Sequence, residues 1–534
     1  MTRILILAIV SLSCVAPAAL ADAPVAMYIF PAGGQRGTNV AFRVGGLYLH
    51  DECRFELTGA GIAAPAKINA TETIWFEGPV IPLPDSQQAE DYPRDLAGTM
   101  TIAADAAPGI RTWRLWTDQG AAPSRSFIVG DLPEIVEHEI DGDPIPVRVE
   151  LPVTINGRIF PREDVDLWTF EAKSGQTITC AALAARLGSP FDARLEVRDS
   201  RGMRLAESAE SSPPGIDALV RFTAPADGTY SVRIHDQKFG GLQHYVYRLT
   251  LTAGPFADHV FPLGGRRGAT TKFEISGSNL PEGASEISLP AEGTRLPLAA
   301  SGLPGTSGRS LSLELDDLPE RIEQEPNETA GDVPLFEAPV IVNGRISQPG
   351  DVDVFGIRGT KEAVLEFDIR AARFGSPLDS VLVLVDKNGK ELARSDDANL
   401  SDSFLKFTFP EDGTYFVRVE ERVASRGSLS HAYRLRIAPP AAPGFALQLP
   451  TDAVTVNRGG EAKLKIKVER SGSFAEPIQL EFEGLPPGIA VPNAVIPGNA
   501  TEFDLTLKAE PTATIGARAA KFRGRATIAG QPAV

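Results

Sequence analysis

One block of sequence is written twice, and that duplication rules out most folds before composition is considered. Asn156-Gly157-Arg158-Ile159 followed by Asp164-Val165-Asp166 returns as Asn343-Gly344-Arg345-Ile346 followed by Asp351-Val352-Asp353. The register then holds: Ala184-Ala185-Arg186-Leu187-Gly188-Ser189-Pro190-Phe191-Asp192 answers Ala371-Ala372-Arg373-Phe374-Gly375-Ser376-Pro377-Leu378-Asp379. Asn156 and Asn343 are 187 positions apart, as are Asp192 and Asp379. Further on, Asp227-Gly228-Thr229-Tyr230 matches Asp412-Gly413-Thr414-Tyr415. A chain that repeats itself at such length is built from modules, each with its own core.

The modules read as β. Tyr230, Val232 and Ile234 alternate with Ser231, Arg233 and His235, and Tyr415, Val417 and Val419 alternate with Arg418 and Glu420. Period-two alternation marks strands with one buried face. Asp199-Ser200-Arg201-Gly202 and Asp386-Lys387-Asn388-Gly389 carry Asp first and Gly last, the chemistry of a type I turn. Strands joined by tight turns predict antiparallel sheets stacked as sandwiches. The best helical candidate, Ala181 to Leu187, is brief.

A second, looser repeat opens the first and third modules. Tyr28-Ile29-Phe30-Pro31 precedes Gly33-Gly34-Gln35-Arg36-Gly37, and Val260-Phe261-Pro262 precedes Gly264-Gly265-Arg266-Arg267-Gly268. A phosphate cradle is rejected, because strand alternation follows instead of a helix and no Gly-Lys-Ser/Thr is present; these glycines are expected in turns. The resulting division is 22–131, 132–253, 254–320 (a shortened module), 321–439 and 440–534. The last unit follows a stiff Pro439-Pro440-Ala441-Ala442-Pro443 linker. The chain stops at Gln531-Pro532-Ala533-Val534 without a closing signal, so a further strand or further domains are expected beyond it.

Residues 1–21 read as an export signal: Arg3, an apolar run from Ile4 to Val10, and Ala19-Leu20-Ala21 before Asp22. A lipid-anchored alternative at Cys14 has only Ser11-Leu12-Ser13 before it. No other apolar stretch approaches the length of a spanning helix. The net charge of −17 over 534 residues argues against nucleic acid, which is bound by neutralising phosphates. Cys53 and Cys180 fall in different modules and are expected as separate core thiols. The localisation expected is periplasmic, cell-surface or secreted.

The ordered set of Asn-Gly-x-Ile, Asp-Val-Asp, Leu-Asp, the Asp-x-x-Gly turn and Asp-Gly-Thr-Tyr resembles the bacterial pre-peptidase C-terminal domain, twice, over 132–253 and 321–439. Residues 22–131 and 254–320 are similar to IPT/TIG-type immunoglobulin-like domains, and 440–534 to a bacterial Ig-like domain. The resemblance implies an all-β fold of tandem β-sandwiches, jelly-roll-like and immunoglobulin-like, in an extended multidomain chain. It also implies non-catalytic appendages, some binding collagen or insoluble polysaccharide and some binding calcium through an acidic stretch ahead of the sandwich. Onto this sequence the calcium ligands carry as Glu323, Glu325, Asn327, Glu328, Asp351 and Asp353 in the second copy. The first copy offers Glu137, Glu139, Asp141, Asp164 and Asp166, a set that departs from the pattern at Asp141 and Gly142. The alternative is that the aspartates accept backbone N–H bonds in a turn while the glutamates are a solvated linker.

Chemistry is otherwise hard to find. His50, His138, His235, His244, His259 and His431 are scattered, with no His-Glu-x-x-His and no Gly-x-Ser-x-Gly. Trp113 and Trp116 read either as a sugar-stacking platform or as strand packing. The expectation is a non-catalytic binding or adhesion protein whose partner is an extracellular polysaccharide, matrix protein or envelope component. The rival is an accessory region of a secreted protease or other hydrolase whose catalytic domain lies outside this chain.

Overall fold

The computed structural model describes residues 23–533 except 72–94, 139–144, 209–216, 302, 304–310, 330–332, 397, 399–400, 473 and 529. The expected signal at 1–21, the Pro79–Pro93 loop, Glu139 and Asp141 lie outside the described residues. Among those described, all regular structure is strand, interrupted by 3₁₀ turns.

The two copies of the long repeat fold alike. In the first, one five-stranded sheet runs Glu134–Val136, Val153–Arg158, Val246–Thr252, Thr177–Leu183, Leu219–Thr223, and a second runs Val147–Arg148, Val165–Ala172, Gly228–Asp236, Ala193–Asp199, Arg204–Glu207. In the other, the corresponding orders are Glu320–Ile322, Val340–Arg345, Ala432–Ala438, Val364–Arg370, Phe404–Thr408 and Leu335–Phe336, Val352–Gly359, Gly413–Glu421, Ser380–Val385, Glu391–Asp396. Neighbouring strands are antiparallel except the first of each sheet, which adds in parallel. The inward alternation is as expected: Tyr230, Val232 and Ile234, and Tyr415, Val417 and Val419, are all buried between the sheets.

The Asp-x-x-Gly turns close hairpins. Asp199 Oδ1 accepts N–H bonds from Arg201 and Met203, and Asp386 Oδ1 accepts them from Asn388 and Lys390. Gly202 and Gly389 take positive φ, which a side chain would resist. The short helix expected over Ala181 to Leu187 is instead strand through Leu183, then a single 3₁₀ turn at Ala185–Leu187. A carboxylate holds that turn: Asp217 accepts the Ala184 and Ala185 N–H groups and pairs with Arg186. Asp402, fully buried, does the same for Ala371, Ala372 and Arg373. His235, expected on the wet face, is buried under Phe239 at 5.2 Å between ring centroids.

The described residues of 22–131 form one continuous ten-stranded sheet, its path beginning at Val25–Phe30 and ending at Gly33–Gln35, which are adjacent in the chain. The sheet therefore curls around a single core that includes Phe42, Phe55 and Leu115. Residues 254–320 make two three-stranded sheets, and 440–534 two four-stranded ones. Cys53 and Cys180 are buried free thiols, as expected.

The joints between modules are packed, and two of them are copies. The Arg158 guanidinium lies 4.2 Å from the Phe30 ring centroid of the preceding module, and Arg345 lies 3.8 Å from that of Phe261. Arg248, nearly inaccessible, donates to Glu134 and Asn156. Its equivalent Arg434, fully buried, donates to Glu320, Asn343 and, across the joint, Glu314 at 2.9 Å. A Cβ on Gly33 would lie 1.7 Å from Arg248 Nη1, and one on Gly264 would lie 2.8 Å from Arg434 Nη1. These glycines were expected in turns. They lie instead in short parallel strands, with the turns following at Arg36-Gly37 and Arg267-Gly268, and they leave room for an arginine of the next module.

The second and third modules meet through a 2.6 Å hydroxyl contact between Thr179 and Ser278 and an Arg221–Asp258 ion pair. The 440–534 stretch turns back on the first module: Asp452 accepts from Ser124 N and pairs with Arg114 at 3.3 Å.

Removing one partner of a buried ion pair strands the other charges, typically at a cost of about 3–5 kcal/mol. Arg434→Ala is expected to lower stability by about that amount in urea unfolding, because Glu314 and Glu320 lose their shared cation. Arg345→Ala, whose guanidinium is less enclosed, is expected to cost less.

Candidate metal centre

Each residue of the Asn-Gly-Arg-Ile motif has a separate task beside the acidic stretch. Asn343 Nδ2 donates to Glu320 Oε2 at 2.7 Å, which fixes the incoming segment against the sheet. Glu320–Ile322 then pairs in parallel with Ile341–Asn343. That pairing carries Glu323 over Gly344, where a Cβ would come within 2.4 Å of Glu323 Oε2 and 2.3 Å of the Tyr433 hydroxyl. The Arg345 N–H donates to Glu323 Oε1 at 2.7 Å, and Ile346 enters the core.

The carboxylates of Glu323, Glu325 and Asp353 converge, offering ligand oxygens that all lie within 4.8 Å of one another. Oxygens about 2.4 Å from a shared calcium can be separated by up to about 5 Å, so this spacing fits one ion. Asp353 is fully buried, and its Oδ2 accepts a 2.6 Å bond from the buried Tyr433 hydroxyl. Its Oδ1 has no hydrogen-bond partner, and neither has the buried Glu323 Oε2. Asn327, 2 % exposed, sits against Asp353 with both amide atoms unpartnered, while its backbone oxygen accepts from Val354 N. Buried polar atoms left without partners are costly, and here four of them share one corner.

Burial first, and then the neighbouring carboxylates, push the Glu323 and Asp353 carboxyls well above the ordinary carboxylate range. Glu325 is raised as well, by burial and then by Asp351 and Glu328. Burial and mutual repulsion thus both oppose simultaneous ionisation of these acids.

Not every expected ligand joins the cluster. Asp351 is buried, and its Oδ2 accepts the Ser347 N–H at 2.6 Å, the turn-acceptor role that was the alternative reading. Glu328 is exposed and outside the converging three. Glu323 is tied to the sheet, since the backbone is paired at Glu320–Ile322 and Glu323 N donates to Asn343 O, whereas Glu325 is exposed.

The first copy repeats the framework. Glu137 Oε2 accepts the Arg158 N–H at 2.9 Å, Asp166 Oδ2 accepts the Tyr247 hydroxyl at 2.6 Å, and Asp164 Oδ2 accepts the Phe160 N–H. Burial, then Glu137 and Asp164, raise the Asp166 carboxyl well above its usual range. Glu137, Asp164 and Asp166 are thus brought together; Glu139 and Asp141 are not among the described residues.

The sugar platform is divided. Trp113 is 1 % exposed, stacks on Phe55 at 5.9 Å and donates to Ser126 O, so it is core and not a ligand surface. Trp116, half-buried on the opposite face, lines a cleft shared with the last module. Sequence reasoning missed Tyr247 and Tyr433, the donors to the second aspartate; their equal place as the second residue of the last strand of each copy was the available signal. It also missed the anchoring aspartates Asp217 and Asp402.

A carboxyl whose pKa is raised on folding holds its proton longer folded than unfolded, so its contribution is present at low pH and lost as pH rises. Without divalent cations, stability of the 321–439 region is therefore expected to fall as pH climbs above the ordinary carboxylate range. Asp353→Asn is expected to flatten that fall and to raise stability at neutral pH in chelator, as read by thermal unfolding across pH.

Comparison with known proteins finds a family match at one place. Residues 164–236 match the bacterial pre-peptidase C-terminal domain. A probable subtilase-type serine protease of Deinococcus radiodurans is 41 % identical over 103 residues, 18 % of this chain and 14 % of the relative's own length. Among solved structures, the pre-peptidase C-terminal domain of collagenase from Bacillus anthracis is 18 % identical and overlaps 21 % of this chain and 99 % of its own, at a TM-score of 0.18. A putative secreted protein from Eubacterium rectale is 10 % identical over 34 % of this chain and 65 % of its own, at a TM-score of 0.15. The chain thus contains a bacterial pre-peptidase C-terminal domain, matched within its second module.

Proposed function

We propose that this chain is an exported, non-catalytic modular protein that binds or adheres to an extracellular polysaccharide, matrix protein or envelope component, with calcium fastening the approach to its repeated sandwiches. Residues 321–439 are, on this reading, a second pre-peptidase C-terminal domain, with IPT/TIG-like modules at 22–131 and 254–320 and an Ig-like one at 440–534. The observation that carries it is the corner formed by Glu323, Glu325, Asn327 and Asp353, whose orphaned buried oxygens suit a hard, oxygen-seeking cation. Calcium bound there would let the three acids ionise and would tie the segment leaving the third module to the core of the fourth.

The histidines give no support to catalysis. His431 Nδ1 contacts Ser428 Oγ at 2.9 Å, but the two lie three residues apart in one turn. His244 is half-buried and shifted downward, first by desolvation and then by Arg125. The likeness to a subtilase-type protease supports a second reading, in which the chain is an accessory region accompanying a hydrolase.

Thermal unfolding of the intact chain in millimolar calcium against chelator tests the cation. A ligand at about 100 times its Kd stabilises the native state by about 2.7 kcal/mol, so the transition of the fourth module is expected to rise, and Asp353→Asn to abolish the rise. Equal transitions in both buffers would refute calcium binding. Retention on collagen or insoluble polysaccharide without release of soluble fragments is the expected functional result; release of fragments would refute the non-catalytic assignment.

A further inference from the structure

The cleft between the first and last modules has a composition unlike the rest of this acidic chain. It encloses about 560 Å3, within the range of about 300–1,000 Å3 usual for ligand sites. One wall is the outward face of the first module's sheet, with His50, Glu52, Arg54 and Trp116; the other is Pro486-Pro487 and the segment 514–518 ending in Arg518. Arg54 and Trp116 are direct cross-strand partners, so guanidinium and indole stand side by side.

The charge balance favours an anion. Of the cleft's two carboxylates, Glu52 is already paired with Lys67 at 2.6 Å, which leaves Asp118 alone against Arg54 and Arg518. Arg54 and Arg518 have no carboxylate partner among the described residues, although the protein carries 69 acidic residues against 52 basic ones. A guanidinium presents a planar fork that matches carboxylate or sulfate oxygens. An indole beside it supplies a flat apolar face for the C–H side of a sugar ring. The Arg114 and Ser124 contacts to Asp452 hold the two walls together.

We propose that this cleft is a binding site for an anionic polysaccharide, with Arg54 and Arg518 taking the acid groups and Trp116 stacking on a pyranose ring. The proposal rests on the binding function advanced above and names the class of ligand for it. Uronate and sulfate esters share the anionic chemistry, and the experiment separates them.

The intact chain is run by affinity electrophoresis through gels containing polygalacturonate, chondroitin sulfate or neutral dextran, alongside Arg54→Gln/Arg518→Gln and Trp116→Ala. Retardation by one or both acidic polymers and not by dextran is expected, weakening with added salt. The double variant is expected to lose about tenfold or more in affinity, as two charge-assisted hydrogen bonds are removed. Thermal unfolding of the exposed-arginine variant should match the parent, which separates lost binding from lost folding. Retention on any polymer or on collagen that the substitutions leave unchanged would overturn this site while the binding function stands. Retention on none of them would overturn both.

Discussion

A guanidinium shut away from water sets the architecture of each repeated module. Arg434 and Arg248 are buried at joints, and a buried charge is tolerable only when every donor is met. Glu320 and Glu134 supply the counter-charge, Asn343 and Asn156 complete the cage, and Glu314 reaches in from the module before. Three demands follow. The acidic strand must pair in parallel beside the Asn-Gly-Arg-Ile strand, the preceding module must offer glycine where the arginine passes, and the next residues must continue across Gly344 or Gly157. The acidic corner is the far end of that same strand.

The two ends of the strand solve opposite problems. At Arg434, opposite charges are matched and burial is balanced. At Glu323 and Asp353, like charges are gathered and burial is unbalanced, which is why their carboxyls are driven upward while their remaining oxygens find no donor. A structure that gathers four unsatisfied buried polar atoms into one corner has the makings of a site there. Tyr433 keeps the corner from relaxing, since its buried hydroxyl holds Asp353 in place.

Much of this was legible in sequence because it is periodic. Alternation at Tyr230–Ile234 and Tyr415–Val419 gave the buried faces, and the constant 187-residue spacing gave the module copies. What periodicity cannot report is which face of a strand is later covered from outside. His235 alternates with buried residues and is nonetheless buried, because Phe239 folds over it. Alternation puts Trp113 and Trp116 on opposite faces of their strand, but leaves open which face is core and which meets the last module. Asp351 and Asp353 share a face, but one is used up by the Ser347 N–H and the other is not. Distinctions of that kind depend on chain passing from elsewhere, such as the strand at Glu320–Ile322. The glycines at 33 and 264 are the same lesson: their cause is an arginine two hundred and more residues away in one case and about 170 in the other.

The matching of Arg158 on Phe30 with Arg345 on Phe261 means that the seam was inherited together with the pieces it joins. A gene rearrangement that copied one sandwich alone would deliver an arginine with no aromatic ring to cover and no glycine gap to enter. The heritable unit is thus a couple, and lengthening such a protein by further duplication would favour adding modules two at a time.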